Sequence, residues 1–127
     1  MLRVTLIALA GALGTLARYG AALLARKITT EWPLGTLVVN VLGCFVLALL
    51  SEAVLRGARV SEDARLAIGV GFCGGLTTYS TFNQDALLLF RSTGGAQAAG
   101  YVALTLVACA GASLAGVAAA RALSPGS

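Results

Sequence analysis

The stretch GGLTTYSTF, residues 74–82, places two glycines and two adjacent threonines inside a strongly apolar part of the chain. Glycine and threonine are both poor helix formers, so the sequence predicts a loop here. The apolar flanks, residues 66–72 and 80–90, are each too short to cross a bilayer, which takes about 20 helical residues. We therefore predict a membrane helix that is broken in its middle, where freed backbone groups line a cavity or bind an ion. The alternative is a kinked helix whose aromatic side chains only pack.

The composition of the chain is that of an integral membrane protein. Of its 127 residues, 58% are hydrophobic and 11% are charged, whereas soluble domains carry about 25% charged residues. Residues 33–51 and 96–120 contain no charge at all, and windows of this length match a helix that crosses the lipid bilayer. The net charge of +4 comes mostly from basic residues at segment ends, so it does not indicate a nucleic-acid partner. The cysteines Cys44, Cys73 and Cys109 fall in separate apolar segments, which favours small packing residues over a disulfide framework or a zinc site.

Four membrane spans account for the whole chain and predict an all-α protein with one domain, residues 1–127. The spans cover about residues 2–25, 34–55, 65–90 and 96–123, with the third span broken, and the tail SPGS is predicted to be disordered. Short connections predict antiparallel hairpins. Five basic residues lie towards one membrane face and three towards the other, a bias weak enough to permit insertion in both orientations. Small residues in the first and fourth spans, among them Gly11, Gly14 and Gly116, predict close helix packing, either within one chain or between copies.

Polar side chains inside the predicted spans mark a candidate pathway for an anion. Asn40 lies in the middle of span two, where its amide either bonds another helix or donates to an anion. Donor groups repeat every four residues along span four and share one helix face, at Tyr101, Thr105, Cys109 and Ser113. A single Ser or Thr in a membrane helix usually bonds its own backbone. A row of neutral donors, however, can pass an anion without trapping it.

Charged and aromatic residues complete the candidate site. Arg18 is the one cation deep in a span, and it either reaches back to the membrane surface or supplies positive potential at a vestibule. Asp85 is the one acid well inside span three and is placed to orient a polar neighbour. Tyr79 and Phe82 lie three residues apart, and their ring edges carry the partial positive charge that can face an anion. Carbonyls freed at the break can coordinate a cation.

Three motifs resemble the signatures of the CrcB/Fluc family of fluoride channels: GGLTTYSTF at residues 74–82, PLGTLVVNVLG at 33–43 and GALGTLARY at 11–19. The resemblance covers nearly the whole chain. It implies a dual-topology homodimer of two antiparallel copies with two fluoride pathways, multi-pass in the inner membrane of a bacterium. It further implies a structural sodium ion (Na⁺) at the dimer centre, held by the backbone carbonyls of Gly74 and Thr77. The fluoride pathway that it implies comprises Arg18, Asn40, Tyr79, Phe82, Tyr101, Thr105, Cys109 and Ser113.

The chain departs from the family pattern at three positions. Tyr79 stands where phenylalanine is usual, Cys109 stands where a hydroxyl residue is common, and Asp85 stands where glutamate is usual. Each change alters the groups offered to an anion and predicts lowered or retuned conduction. Because some relatives assemble as pairs of non-identical subunits, one working pathway per dimer is a further expectation.

The resulting prediction is a passive channel, not an enzyme, that lets fluoride leave the cell after it has entered as HF. Two other classes fit four short spans. A small multidrug-resistance-type, proton-coupled exporter needs a carboxylate inside the membrane, typically in span one, and span one here contains Arg18 and no acid. A non-transporting assembly subunit needs no polar stripe at all.

Overall fold

A computed structural model of the chain describes residues 1–123 and shows an all-helical protein. The predicted disorder of SPGS concerns residues 124–127, which lie outside the described residues. The helical elements, in chain order, are α1 (Leu2–Ile28), α2 (Leu34–Leu55), α3 (Glu62–Leu66), a π-helical segment (Ala67–Cys73), α4 (Gly74–Leu76), α5 (Tyr79–Thr93) and α6 (Gly95–Leu123).

Three helices, α1, α2 and α6, are long and apolar enough to cross a membrane. They correspond to three of the predicted spans, and the helix bounds agree with the predicted bounds to within three residues. Their apolar side chains face outwards: Leu9, Leu13 and Leu16 of α1 are each more than half exposed. An apolar exterior of this extent fits lipid, which solvates leucine as well as a protein core does. The third predicted span, residues 65–90, corresponds to α3 through α5 and is not one continuous helix.

Ion pairs tie helix ends together on one side of the molecule. Arg121 Nε lies 2.9 Å from Glu52 Oε1 and joins the end of α6 to the end of α2. Arg3 pairs with Asp63 at 2.7 Å and with Glu62 at 3.2 Å, joining the start of α1 to the start of α3. Exposed pairs of this kind contribute little to stability. Their value is geometric, since they show that α2 and α6 end side by side and that α1 begins beside the start of α3.

Glycines let the helices approach each other closely. A Cβ atom on Gly14 would collide with the carbonyl oxygen of Phe72, and one on Gly75 would collide with the carbonyl oxygen of Gly11. The two close approaches hold α1 against the residues that precede the interruption at residue 77. A Cβ atom on Gly116 of α6 would lie 2.5 Å from an α2 carbonyl oxygen. The predicted close packing at small residues is confirmed, and these contacts lie within one chain.

Candidate functional site

The backbone leaves helical geometry at two residues, Thr77 and Thr78. Both are extended, with ψ 157° at Thr77 and φ −158°, ψ 118° at Thr78. The Thr77 N–H and hydroxyl both donate to the Cys73 carbonyl, at 2.9 and 2.8 Å, and so close the helix that ends there. The Thr78 hydroxyl oxygen accepts from the Thr81 N–H at 3.2 Å and caps the start of α5. The two threonines therefore end one helix and begin the next.

The two glycines beside them do not form the predicted loop. Gly74 keeps helical dihedrals, φ −63° and ψ −36°, and Gly75 lies within α4. The expectation that the Gly-Gly pair leaves the helix is wrong because tertiary packing outweighs the weak helix propensity of glycine. Gly75 serves the close approach of α1, which any side chain at that position would prevent.

Asn40 of α2 holds the extended residue in place. Its Oδ1 accepts from the Thr78 N–H at 2.8 Å, and its Nδ2 donates to the Thr78 carbonyl at 3.2 Å. A backbone N–H only donates and a carbonyl only accepts, so these two bonds fix the orientation of the amide. The second N–H of Nδ2 remains for another acceptor. Asn40 thus satisfies a break in the helix and still offers one donor.

Two backbone carbonyls lose their helical hydrogen bonds at the break, because the N–H groups that would donate to them donate to side-chain oxygens instead. In a continuous helix the Thr78 N–H would donate to Gly74 and the Thr81 N–H would donate to Thr77. Here those amides donate to Asn40 Oδ1 and Thr78 Oγ1. The two affected carbonyls, of Gly74 and Thr77, are those that the family resemblance implies as sodium ligands, and neutral carbonyl oxygens from unwound helices suit Na⁺. Within residues 1–123, no cluster of three or more His, Cys, Asp or Glu side chains is placed to hold a metal.

Asn40 and the extended threonines face a groove of about 340 Å³ between α2, α5, α6 and the π-helical segment. Most of the predicted site residues line this groove, namely Asn40, Gly74, Thr77, Tyr79, Phe82, Thr105 and Cys109. The others, which are not among its lining residues, are Arg18, Tyr101 and Ser113. The fold thus brings together residues from three predicted spans that are up to 69 positions apart in sequence.

Aromatic rings run in a row from the open side of the groove into the protein. The ring centroids of Tyr79 and Phe82 are 5.8 Å apart, and those of Phe82 and Tyr101 are 5.5 Å apart. Trp32 meets Tyr101 edge-on at 6.2 Å. Tyr79 is 77% exposed, whereas Phe82 is 6% and Tyr101 is 0% exposed. Sequence reasoning missed Trp32, whose only signal is its position just before the proline that opens α2.

The four predicted donor residues of α6 do not all lie in the same environment. The Thr105 hydroxyl donates to the Tyr101 carbonyl at 2.8 Å, which is the backbone bond expected of a lone membrane threonine. Thr105 therefore turns lone pairs, and not its hydrogen, towards the groove. Cys109 is half-buried on the groove wall, and it interacts there with Cys44 of α2. The cysteines are not isolated as the sequence suggests, because Cys44, Cys73 and Cys109 all line the one groove.

A second cavity, of about 440 Å³, opens near the end of α1 and the start of α2. We call it the end cavity. Arg26 lines it, as do Thr36 and Asp85, whose side chains are joined by a 2.6 Å hydrogen bond from Thr36 Oγ1 to Asp85 Oδ2. The prediction that Asp85 orients a polar neighbour is confirmed. Arg18 is not among the lining residues of the end cavity, so the cation that this cavity presents is Arg26.

Tyr101 lies between the two cavities. Its side chain interacts with Thr36 and Asp85, which line the end cavity, and with Thr105, which lines the groove. Its hydroxyl is fully buried near the hydroxyl groups of Thr36 and Thr105, but it forms no well-aligned hydrogen bond within the described chain. A buried hydroxyl without a well-formed hydrogen bond is costly, about 1–3 kcal/mol.

The fold and the groove define a small, multi-pass membrane protein in which an interrupted helix lines a groove, an arrangement that ion-conducting proteins use. This chain belongs to the CrcB-like family, because the family model described as "CrcB-like protein, Camphor Resistance (CrcB)" matches residues 5–117.

Similar proteins cover the chain from end to end. A protein of Sorangium cellulosum named "Fluoride-specific ion channel FluC" is 40% identical over 121 residues, which are 94% of this chain and 95% of that protein. A protein of the same name from Anaeromyxobacter sp. (strain K) is 44% identical over 110 residues, 86% of this chain and 87% of that protein. A third, from Rhizobium etli (strain CIAT 652), is 41% identical over 125 residues, 97% of this chain and 99% of that protein. A match of that extent includes the interrupted helix and the groove.

Proposed function

We propose that this chain is a fluoride-selective passive channel that exports fluoride and so lowers its cytoplasmic concentration and toxicity. The observation that carries the proposal is the groove at the interrupted helix, where Asn40 holds the backbone and keeps one amide N–H free. Relatives named fluoride-specific ion channels support it. The proton-coupled exporter is not favoured, because the chain matches the CrcB-like family and span one contains no acidic residue.

The chemistry of the groove suits a small, strongly hydrated anion. Fluoride leaves water only where other donors replace its hydration shell. The groove offers the second N–H of Asn40, the thiol of Cys109 and the ring edges of Tyr79 and Phe82. None of these groups carries a full charge, so fluoride is held weakly enough to leave again.

The pathway that we propose continues from the groove past the aromatic row into the end cavity. At the barrier between the two, the Tyr101 hydroxyl is a buried donor without a protein partner and is placed to donate to the passing ion. Beyond it, Arg26 and Asp85 both line the end cavity. Arg18 and Ser113 are not among the lining residues of the groove or the end cavity, and we assign their predicted roles to a surface shared with a second copy.

The assembly that we propose is an antiparallel, dual-topology homodimer of four-span chains in the inner membrane of a bacterium. Helix α5 has 15 residues and reaches about 22 Å, less than the ~30 Å hydrocarbon core. Residues 62–76 and α5 would therefore cross together as one broken span. The groove is open on one side, where Tyr79 is 77% exposed, and a second copy would close it.

A structural sodium ion at the dimer centre fits the two diverted carbonyls. Gly74 is exposed, so its carbonyl is accessible to a partner, and Thr77 lies in the groove wall beside it. Two carbonyl oxygens are too few to replace the hydration shell of Na⁺, whereas a second copy related by a two-fold axis doubles the number. The bound cation would supply positive charge that joins the two interrupted helices.

Fluoride efflux tests the proposed function directly. Proteoliposomes that contain the purified chain and are loaded with potassium fluoride are expected to release fluoride when a potassium ionophore balances the charge. A fluoride electrode measures the release, and vesicles loaded with chloride are expected to retain it. Protein-free vesicles are the control. Drug–proton exchange by folded protein without fluoride release would contradict the channel and favour the exporter.

Removal of sodium tests the assembly and its cation together. In sodium-containing detergent solution we expect the mass of a dimer, because the groove and the cation site are each incomplete in one chain. Replacing Na⁺ by N-methylglucamine is expected to remove about 2–3 kcal/mol of stability if the starting concentration is about a hundred times the Kd. Light scattering and thermal melting measure the two effects. A monomer in sodium would contradict the dimer, and identical melting in both salts would contradict the structural cation.

A further inference from the structure

Two thiols from different helices meet inside the groove. Cys44 of α2 and Cys109 of α6 are free and half-buried, and both belong to the groove wall. The two thiols belong to helices that pack against each other and line the same cavity. The proposed fluoride path uses Cys109 as a weak donor, and it gives no role to Cys44.

The positions of these thiols are fixed by the packing of the helices that carry them. Helices α2 and α6 approach so closely that a Cβ atom on Gly116 would lie 2.5 Å from the carbonyl oxygen of Phe45, the residue after Cys44. Cys44 lies one turn beyond Asn40, and Cys109 lies one turn beyond Thr105, and all four residues line the groove. The third thiol, Cys73, is only 2% exposed and comes from the π-helical segment.

A pair of thiols is the ligand set that soft cations prefer. Thiolate sulfur selects soft metals, and Hg²⁺, Ag⁺ and Cu⁺ bind stably to two sulfurs in a linear arrangement. No third ligand is needed, which agrees with the absence of any three-ligand side-chain cluster within residues 1–123. A hydroxyl residue at position 109, common in the family, would remove one of the two ligands.

We propose that Cys44 and Cys109 form a two-thiolate site for a soft, thiophilic cation, and that an ion bound there blocks the groove. With Hg²⁺ as the probe, both S–H bonds break, two S–Hg bonds form and two protons leave to solvent, with no change of oxidation state. The bound metal places positive charge in the groove that Asn40 and Phe82 also line, so that it holds fluoride there instead of letting it leave. The binding site stands on the thiol pair alone, and the blocking effect rests on the proposed fluoride channel.

Mercury titration of the purified protein tests the binding site without reference to transport. Mercuric nitrate in chloride-free buffer is expected to give one tightly bound Hg²⁺ per chain, with the ultraviolet absorption of mercury–thiolate bonds and the release of two protons. Cys109→Ser keeps a hydrogen-bond donor in the groove and removes one sulfur. It is expected to raise the half-saturating concentration about a hundredfold or more, because the second thiolate of a chelate binds at high effective concentration. Cys44→Ala is a second variant with the same expectation.

Cys73→Ala is the matched control, since it removes a groove thiol outside the pair and is expected to keep tight binding. Tight binding that survives Cys44→Ala and Cys109→Ser, or that is lost in Cys73→Ala, would overturn the site. In the efflux assay, stoichiometric Hg²⁺ is expected to stop fluoride release from wild type, whereas Cys109→Ser with Hg²⁺ is expected to release fluoride at the rate of the same variant without Hg²⁺. Release that continues from fully mercurated wild type would overturn the block. Wild type that binds Hg²⁺ tightly yet never releases fluoride would instead disprove the proposed function.

Discussion

Replacing Asn40 by Asp is expected to abolish fluoride flux. The carboxylate has no N–H, so it cannot donate to the Thr78 carbonyl, which Asn40 Nδ2 reaches at 3.2 Å, and it cannot donate to fluoride. Its charge also repels the ion: two like charges 4 Å apart cost about 4 kcal/mol at an effective dielectric constant near 20. That energy lowers fluoride occupancy by about a thousandfold. Efflux from proteoliposomes measures the loss.

Asn40→Ala separates the charge from the hydrogen bonds. It leaves the N–H and carbonyl of Thr78 without their partner, which is expected to cost about 1–3 kcal/mol for each unsatisfied group. We expect this variant to melt at a lower temperature than wild type and to conduct slowly, whereas Asn40→Asp conducts nothing. Wild-type flux in Asn40→Asp would show that Asn40 is not on the fluoride path.

The long apolar helices could be predicted from the sequence because a bilayer fixes their length. Windows without charge place α2 and α6, a long apolar stretch interrupted only by Arg18 places α1, and no tertiary information is needed to find them. The position of the interruption could not be predicted from helix propensity alone. Gly74 and Gly75 are weaker helix formers than the threonines that follow, yet the threonines leave the helix, because Asn40 bonds Thr78 and α1 packs on Gly75.

The donor stripe on α6 shows a limit of periodic reasoning. A helix turns by 100° per residue, so each step of four residues drifts by about 40° around its axis. Between Tyr101 and Ser113 the drift is about 120°, and one groove cannot meet both. Thr105 and Cys109 line it, while Tyr101 faces the aromatic row. The role of Arg26 was not predicted either, because no local motif indicates that Arg26 lines the end cavity.

Tyr101→Phe is expected to stabilise the protein and at the same time to slow fluoride. The ring keeps its contacts with Phe82 and Trp32, at 5.5 and 6.2 Å between centroids. The hydroxyl that is lost is buried and has no partner in the described chain, so its removal recovers about 1–2 kcal/mol. A hydrogen bond to a charged group is worth about 1.5–3 kcal/mol, so flux is expected to fall about tenfold or more if this hydroxyl donates to the passing ion.

The opposite changes in stability and in flux distinguish a conducting role of Tyr101 from a purely structural one. A residue that only packs would become more stable as phenylalanine and conduct as before, whereas a donor on the path gains stability and loses flux. Tyr19→Phe provides the matched control, because Tyr19 is 63% exposed on α1 and is not among the lining residues of the groove or the end cavity. Melting and efflux measured on the same preparations decide the matter. Unchanged flux in Tyr101→Phe would show that fluoride does not pass the barrier between the groove and the end cavity. No other buried hydroxyl of the described chain lacks a partner, so no other hydroxyl there is available to donate to the ion.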